Sequence, residues 1–462
     1  MANSWLSSRV ESVAQLLRQW DWKLLLLILL YMGLPLFYRS YSIYLIGNAI
    51  PDTNALATVA QWQFVDLLVE VVQETFVLAI FYFVGKGIQS KDGPAQAIRT
   101  SLTTILVFSA VIAIVLFFLS PQFVTVIGTP VEIQAATASF LRIKTLSIPI
   151  LLMSMAAVMV VETMNRKRLI LILAILQVAY KFVFDSVSYG GYPFSLNLGV
   201  VGVAWSDLAA AVALFVTVIV MLRHPLLSQL KHWWSVFSFR DWKTYVGVGA
   251  WSGLDSLVRN VAYSVLIIRM LNMLGADAIG GYYLAMNIIW SFMLVPVLAL
   301  AETTKVLIAN HSLNIRRMRN IWFAALIITG FVLVIWVGIL PFIPSFARLL
   351  NSNPGVVDFS IKAVFMLIVP YMLFSLNNVT DAIFYGVGKT KYLAYQSIIV
   401  NGTVYVLAFV AYLTGIWTPT FTTVVVLFSS GIVLDSILTV YYAMRVMYPR
   451  LEKPADVAVA LR

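Results

Sequence analysis

Apolar runs of about 20 residues recur along almost the whole chain, with starts near positions 22, 56, 98, 133, 167, 200, 243, 278, 319, 357, 390 and 420. A helix of that length spans a hydrocarbon core of ~30 Å. The pattern therefore predicts an all-α membrane protein of roughly twelve transmembrane helices, with no length left for a large soluble domain. The second run breaks its own apolar pattern. Its stretch "DLLVEVVQETF" places Asp66, Glu70 and Glu74 at i, i+4 and i+8. At about 100° per residue, Gln63, Asp66, Glu70, Gln73 and Glu74 share an arc of roughly 100°. The rest of that surface is Val, Leu, Phe and Ile. A stripe that narrow is expected to face the protein interior or water, not lipid.

Charge in the connections is one-sided. Segments 47–57, 189–200, 272–281 and 415–421 hold no Lys or Arg, whereas the alternate connections carry Lys86, Lys91 and Arg99, then Arg166 to Arg168, Arg316 to Arg319, and Lys389 with Lys391. Positive loops stay cytoplasmic. This predicts a multi-pass protein of the cell membrane with both termini in the cytoplasm. Within residues 1–21, Val10, Val13, Leu17 and Trp20 recur at helical spacing among Arg9, Glu11 and Arg18, which reads as an interfacial helix and not a cleavable signal.

Composition agrees. Charged residues make up 11% of the chain, against about 25% in a soluble protein. The net charge of +11 is accounted for by the basic loops, so no nucleic-acid partner is implied. There is no cysteine, and His224, His232 and His311 sit in or beside predicted loops. That excludes disulfides and thiol nucleophiles and argues against a buried metal cluster. No cofactor is expected. The partners are membrane lipids and a small-molecule or lipid substrate, and a monomer is expected.

The chain is also duplicated. "DWK" occurs at 21–23 and 241–243, and at the same offset Gly33 matches Gly253 and Arg39 matches Arg259. Weak internal symmetry of this kind marks a transporter built from repeats. The expected divisions are an N-lobe at 22–222 (helices 1–6), a cytoplasmic linker at 223–242, a C-lobe at 243–447 (helices 7–12) and a tail at 448–462.

Four stretches carry a family resemblance: "FLRIKTLSIPILLMSMAAVMVVETMNRKR", "KFVFDSVSYGGYPFSLNLGVVGVAWSDLAAA", "VGVGAWSGLDSLVRNVAYSVLIIRMLNMLGADAIGGYYLAMNI" and "SLNNVTDAIFYGVGKTKY". Together they resemble the multidrug and toxin extrusion (MATE) family, within the wider group that holds polysaccharide and lipid flippases. The resemblance implies two pseudo-symmetric six-helix lobes around a central cavity, with alternating access driven by H⁺ or Na⁺. It carries Asp185 over directly. Other ion-site positions of the family fall near Ser42, Arg259 and Phe374, where this chain has no acid, and Lys181 stands where the family often has Asn.

Charges inside the membrane cost roughly 2.5–3.5 kcal/mol each at the helix centre on insertion scales, so each needs a partner or a cavity. Lys181 and Asp185 are one turn apart and face each other. They read either as an internal ion pair or as a tethered cation filling an ion site. Lys181 argues against Na⁺ there, so H⁺ is the expected coupling ion, taken up by Asp185 or by the Asp66, Glu70, Glu74 stripe. Arg39 is deep enough in helix 1 to pair with Asp66 or Glu70. With Tyr41, Gln63 and Gln73, it is a candidate for lining an N-lobe cavity. Asp255, Arg259, Asn260, Glu302, Asn377 and Asp381 are the C-lobe candidates. Asn378 is expected to bond between helices, and Asp435 has no evident partner.

The leading reading is a secondary active exporter of amphipathic organic compounds, and not an enzyme. A second keeps the fold but moves an anionic lipid-linked substrate past Arg39, Arg259 and Lys181. A third, a prenyltransferase-like membrane enzyme, would use the acid spacing of "DLLVEVVQE", yet no second acid-rich motif accompanies it.

Overall fold

A computed structural model describes residues 17–18, 20–77, 80, 95–163, 167–221, 239–311, 314–387, 389 and 391–448. Most of residues 1–21, most of the linker and nearly all of the tail, along with several of the basic loops, lie outside the described residues. The described chain is helical, with no strand among those residues.

The helices of the N-lobe are α1 (Trp22–Asn48), α2 (Ala55–Val77), α3 (Ala95–Val126), α4 (Gln134–Thr145 continued by Ser147–Thr163), α5 (Lys167–Ser188) and α6 (Gly199–Met221). In the C-lobe, α7 is Phe239–Tyr263, extended through a π turn at Ser264–Ile268 to Arg269–Asn272. Next, α8 is Ala276–Ile288, a π turn Ile289–Met293, and Val295–Asn310. Then come α9 (Ile315–Ile339), α10 (Pro354–Gly386), α11 (Lys391–Leu413, with a π turn at Asn401–Tyr405) and α12 (Phe421–Met447). Nine of these are long and apolar enough to cross a membrane unaided, and the bent α4 and α8 bring the count to 11. The twelfth, α7, falls short because Arg240, Asp241, Lys243, Asp255 and Arg259 interrupt it. It lies against α2 in the other lobe.

Prolines account for the bends. Pro149 and Pro296 stand just past the breaks in α4 (40°) and α8 (52°). Each removes one backbone donor to the preceding turn. Asp21 caps α1 by accepting from the Leu24 N–H at 2.9 Å. Its repeat counterpart Asp241 lies inside α7, so the two copies of "DWK" start their helices differently.

Each lobe packs on itself, α1 on α5, α3 on α4, and α5 on α6, and likewise α8 on α10 and α10 on α12. The lobes meet along α1 and α2 on one side and α7 and α8 on the other. At the end where α1 stops and α2 starts, polar side chains tie them together. Gln61 and Asn272 exchange amide hydrogen bonds at 2.8 Å each way. Asn48 donates to the Leu349 carbonyl at 3.1 Å, and Asn353 to the Thr53 carbonyl at 3.2 Å. Toward the other end, the Tyr245 hydroxyl donates to the Phe76 carbonyl.

The α2–α7 seam is close because α7 presents Gly249 and Gly253 to it. A methyl group on either would overlap Thr75, at its backbone carbonyl and its hydroxyl respectively. Gly249→Ala is expected to cost roughly 1–3 kcal/mol as an overpacking change, read as a lower apparent Tm in detergent. Gly330→Ala in α9, where nothing lies within 4 Å of the added carbon, should be neutral or slightly stabilising. Equal Tm values for the two variants would refute the close seam.

Candidate functional site

Two cavities flank the seam, and both are lined by Arg39 and Tyr283. The smaller, about 260 Å³, lies between α1, α2, α4, α5 and α6. The larger, about 710 Å³, is built by α7, α8, α10, α11 and α12 and closed on one side by α2.

The smaller cavity borders a charge-balanced network. Asp185 is fully buried. It accepts from Tyr38 at 2.7 Å, from Lys181 at 2.8 Å and from the Ser206 hydroxyl. Lys181 also bridges to Asp207 on α6, whose second oxygen takes Lys144 of α4 at 2.8 Å. Lys144 in turn lies 4.5 Å from the centroid of the Trp62 ring. Two cations and two carboxylates thus cancel across α4, α5 and α6, which is how an apolar bundle carries four charges. Asp207 and Lys144 were not anticipated from the sequence. Asp207 is the one ionisable residue of a 23-residue apolar helix, and the rule that singled out Asp185 applies to it equally.

The acid stripe of α2 does not act as a unit. Asp66 lines the smaller cavity and Glu70 the larger. Glu70 and Glu74 take Arg259 across the seam at 3.0 and 3.1 Å. Asn260 joins them, donating to the Leu67 carbonyl at 3.0 Å and to Glu70 at 3.3 Å. Arg39 does not reach a carboxylate as expected: it donates to the Tyr283 hydroxyl at 3.4 Å. α1 meets α8 along the seam, and α2 presents Glu70 to α7 instead.

Other candidates are also relocated. Tyr41 stacks on Phe182 and bonds the Tyr192 hydroxyl at 2.6 Å, away from both cavities. Gln63 lines the larger cavity, while Gln73 sits in the π turn of α2 and lines neither. Glu302 pairs with Lys305 at 2.6 Å. The side chain of Asp255 lies outside the described residues. Asn377, not Asn378, makes the bond between helices, donating to Asp435 of α12 at 2.7 Å. One turn on, Thr439 donates to Asp381 at 3.0 Å. These two rungs join α10 to α12 at the wall of the larger cavity.

That wall is aromatic. Tyr263, Trp290, Tyr371, Phe374, Tyr405 and Phe428 face the cavity, and Trp290 donates to the Tyr371 hydroxyl at 2.9 Å. The π turns of α8 and α11 supply Trp290, Ser291, Asn401 and Tyr405. An extra residue in a turn re-aims the side chains that follow, which is why such turns gather at sites. Asp381 and Asp435 stand in this wall with no cation within 4.0 Å among the described residues.

Solved structures share the fold at 18% identity. An inward-facing conformation of a multidrug resistance MATE family transporter matches with a TM-score of 0.74, over 89% of this chain and 94% of that one. An outward-facing conformation of such a transporter matches at 0.65, over 94% and 97%. A MOP superfamily transporter from Pyrococcus furiosus, described as having reverse polarity of its binding pocket, matches at 0.66 over 94% and 97%. Among curated proteins none matches. The MatE family model covers residues 28–187 and 256–410, reaching both lobes and most of the helices that build the two cavities, so this chain belongs to the MatE family.

Proposed function

We propose that the protein is a secondary active exporter of amphipathic organic compounds, working by alternating access and driven by H⁺ inflow. The larger cavity carries this reading. Its volume of about 710 Å³ is that of a pocket for a drug-sized molecule. Its aromatic faces suit a flat ring system, and Asp381 and Asp435 favour a cationic group. Coupling falls to the Asp185–Lys181–Asp207–Lys144 network. A proton arriving on Asp185 upsets a balance of two charges against two, and the bundle must repack or let water in. Na⁺ fits less well, because Lys181 already holds the place of a cation beside both carboxylates. A monomer suffices in this reading, since one chain encloses both cavities. The termini face the cytoplasm across the cell membrane, and the lobes divide at the 223–242 linker.

A pooled basic cavity for an anionic lipid would need Arg39, Arg259 and Lys181 together. Instead Arg259 and Lys181 each face two carboxylates. The test uses proteoliposomes loaded with a cationic dye, with pH and Na⁺ gradients imposed separately. Dye flux is expected under the pH gradient with opposing proton movement, and none under Na⁺ alone. Dye flux without any proton movement would overturn the coupling.

A further inference from the structure

The smaller cavity contains two opposite charges that the network above does not use. Arg39 and Asp66 both line it, and both are exposed to it although they stand within the helical bundle. Among the described residues neither has an opposite charge within 4.0 Å. Arg39 has the Tyr283 hydroxyl at 3.4 Å, and Asp66 takes a hydrogen bond from Trp62 one turn earlier. The other charged groups of the cavity, Lys144, Lys181 and Asp207, are bonded to one another.

An ionised group held in a membrane bundle without a counter-charge is costly. Here Arg39 and Asp66, of opposite sign, face one chamber, and among the described residues neither is in an ion pair within 4.0 Å. A singly charged guest would meet one and leave the other unmet. A guest carrying both signs would meet both. The chamber's 260 Å³ equals roughly eight or nine water volumes at ~30 Å³ each, which is the scale of an amino acid. We propose that this N-lobe cavity binds a small zwitterion, with its anionic group on Arg39 and its ammonium on Asp66. The site shares Arg39 and Tyr283 with the larger cavity but lies on the other side of the seam from its aromatic wall, and its occupancy does not depend on the exporter reading, because binding is measured without transport.

The test is calorimetric titration of the purified full chain in detergent with L-leucine, glycine betaine and γ-aminobutyrate. Isoamylamine and 4-methylpentanoate serve as the singly charged analogues of leucine. At least one zwitterion is expected to bind saturably, and both analogues at least about 10-fold more weakly than the zwitterion that binds best. Arg39→Gln and Asp66→Asn should each weaken that binding about 10-fold, whereas Glu132→Gln, at an exposed site outside the cavity, leaves it unchanged. The double variant Arg39→Asp/Asp66→Arg keeps both signs and is expected to recover binding, which separates loss of a contact from loss of the fold. No saturable binding of any of the three zwitterions overturns the proposal. So does binding of a singly charged analogue at equal affinity, or binding that survives both single substitutions.

Discussion

Lys181→Met is expected to be the most damaging single substitution in the N-lobe. Lys181 is bonded to Asp185 and Asp207, and its side chain is only 20% exposed, with Asp185 fully buried. Removing the ammonium strands a carboxylate in an apolar bundle. Breaking a buried pair from one side costs on the order of 3–5 kcal/mol, far more than a surface pair would. The measurement is thermal unfolding in detergent, followed by transport where the variant is folded. Adding Asp185→Asn restores the balance, leaving Asp207 with Lys144 at 2.8 Å. That double variant should regain most of the lost stability while remaining uncoupled from the pH gradient. If Lys181→Met unfolds at the wild-type temperature, the network is not a balanced unit. If the double variant still couples to pH, Asp185 is not the proton carrier.

The second large effect concerns substrate. Asp381→Asn/Asp435→Asn removes both acids from the aromatic cavity. Each asparagine can still accept the bond from Thr439 or Asn377, so stability should change little. A cationic dye that uses these carboxylates should then bind about 10- to 100-fold more weakly, the worth of one charge-assisted hydrogen bond. A neutral aromatic dye of the same size should bind as before. Fluorescence titration of both dyes decides. A loss shared equally by the two dyes would mean the cavity has collapsed, and an unchanged cationic dye would mean the acids do not face substrate.

Much of this architecture is legible in the order of residues along the chain. The predicted starts of the apolar runs fall within a few residues of the helix starts, from Trp22 to Phe421. The reason is that lipid forces backbone hydrogen bonds to close within each helix, so length and hydropathy suffice. The pairing of Lys181 with Asp185 is legible for a similar reason, since residues one turn apart must be neighbours. The same local rule says too much about α2. It groups Asp66, Glu70 and Glu74 as one stripe, but the stripe lies on the seam, and two different cavities and a partner on α7 divide it.

Two things are settled at different levels. The sequence by itself determined the number of spans, the duplication and the presence of ionisable groups that a lipid-facing surface would not tolerate. Those depend on one helix at a time and on the cost of placing charge in hydrocarbon. Only the tertiary structure decided which charge meets which: Arg259 with Glu70 and Glu74, Asp207 with two lysines, Asn377 with Asp435, and Arg39 and Asp66 left facing a chamber. A side chain's partner across a seam depends on how helices far apart in the chain pack. No periodicity within one helix encodes that.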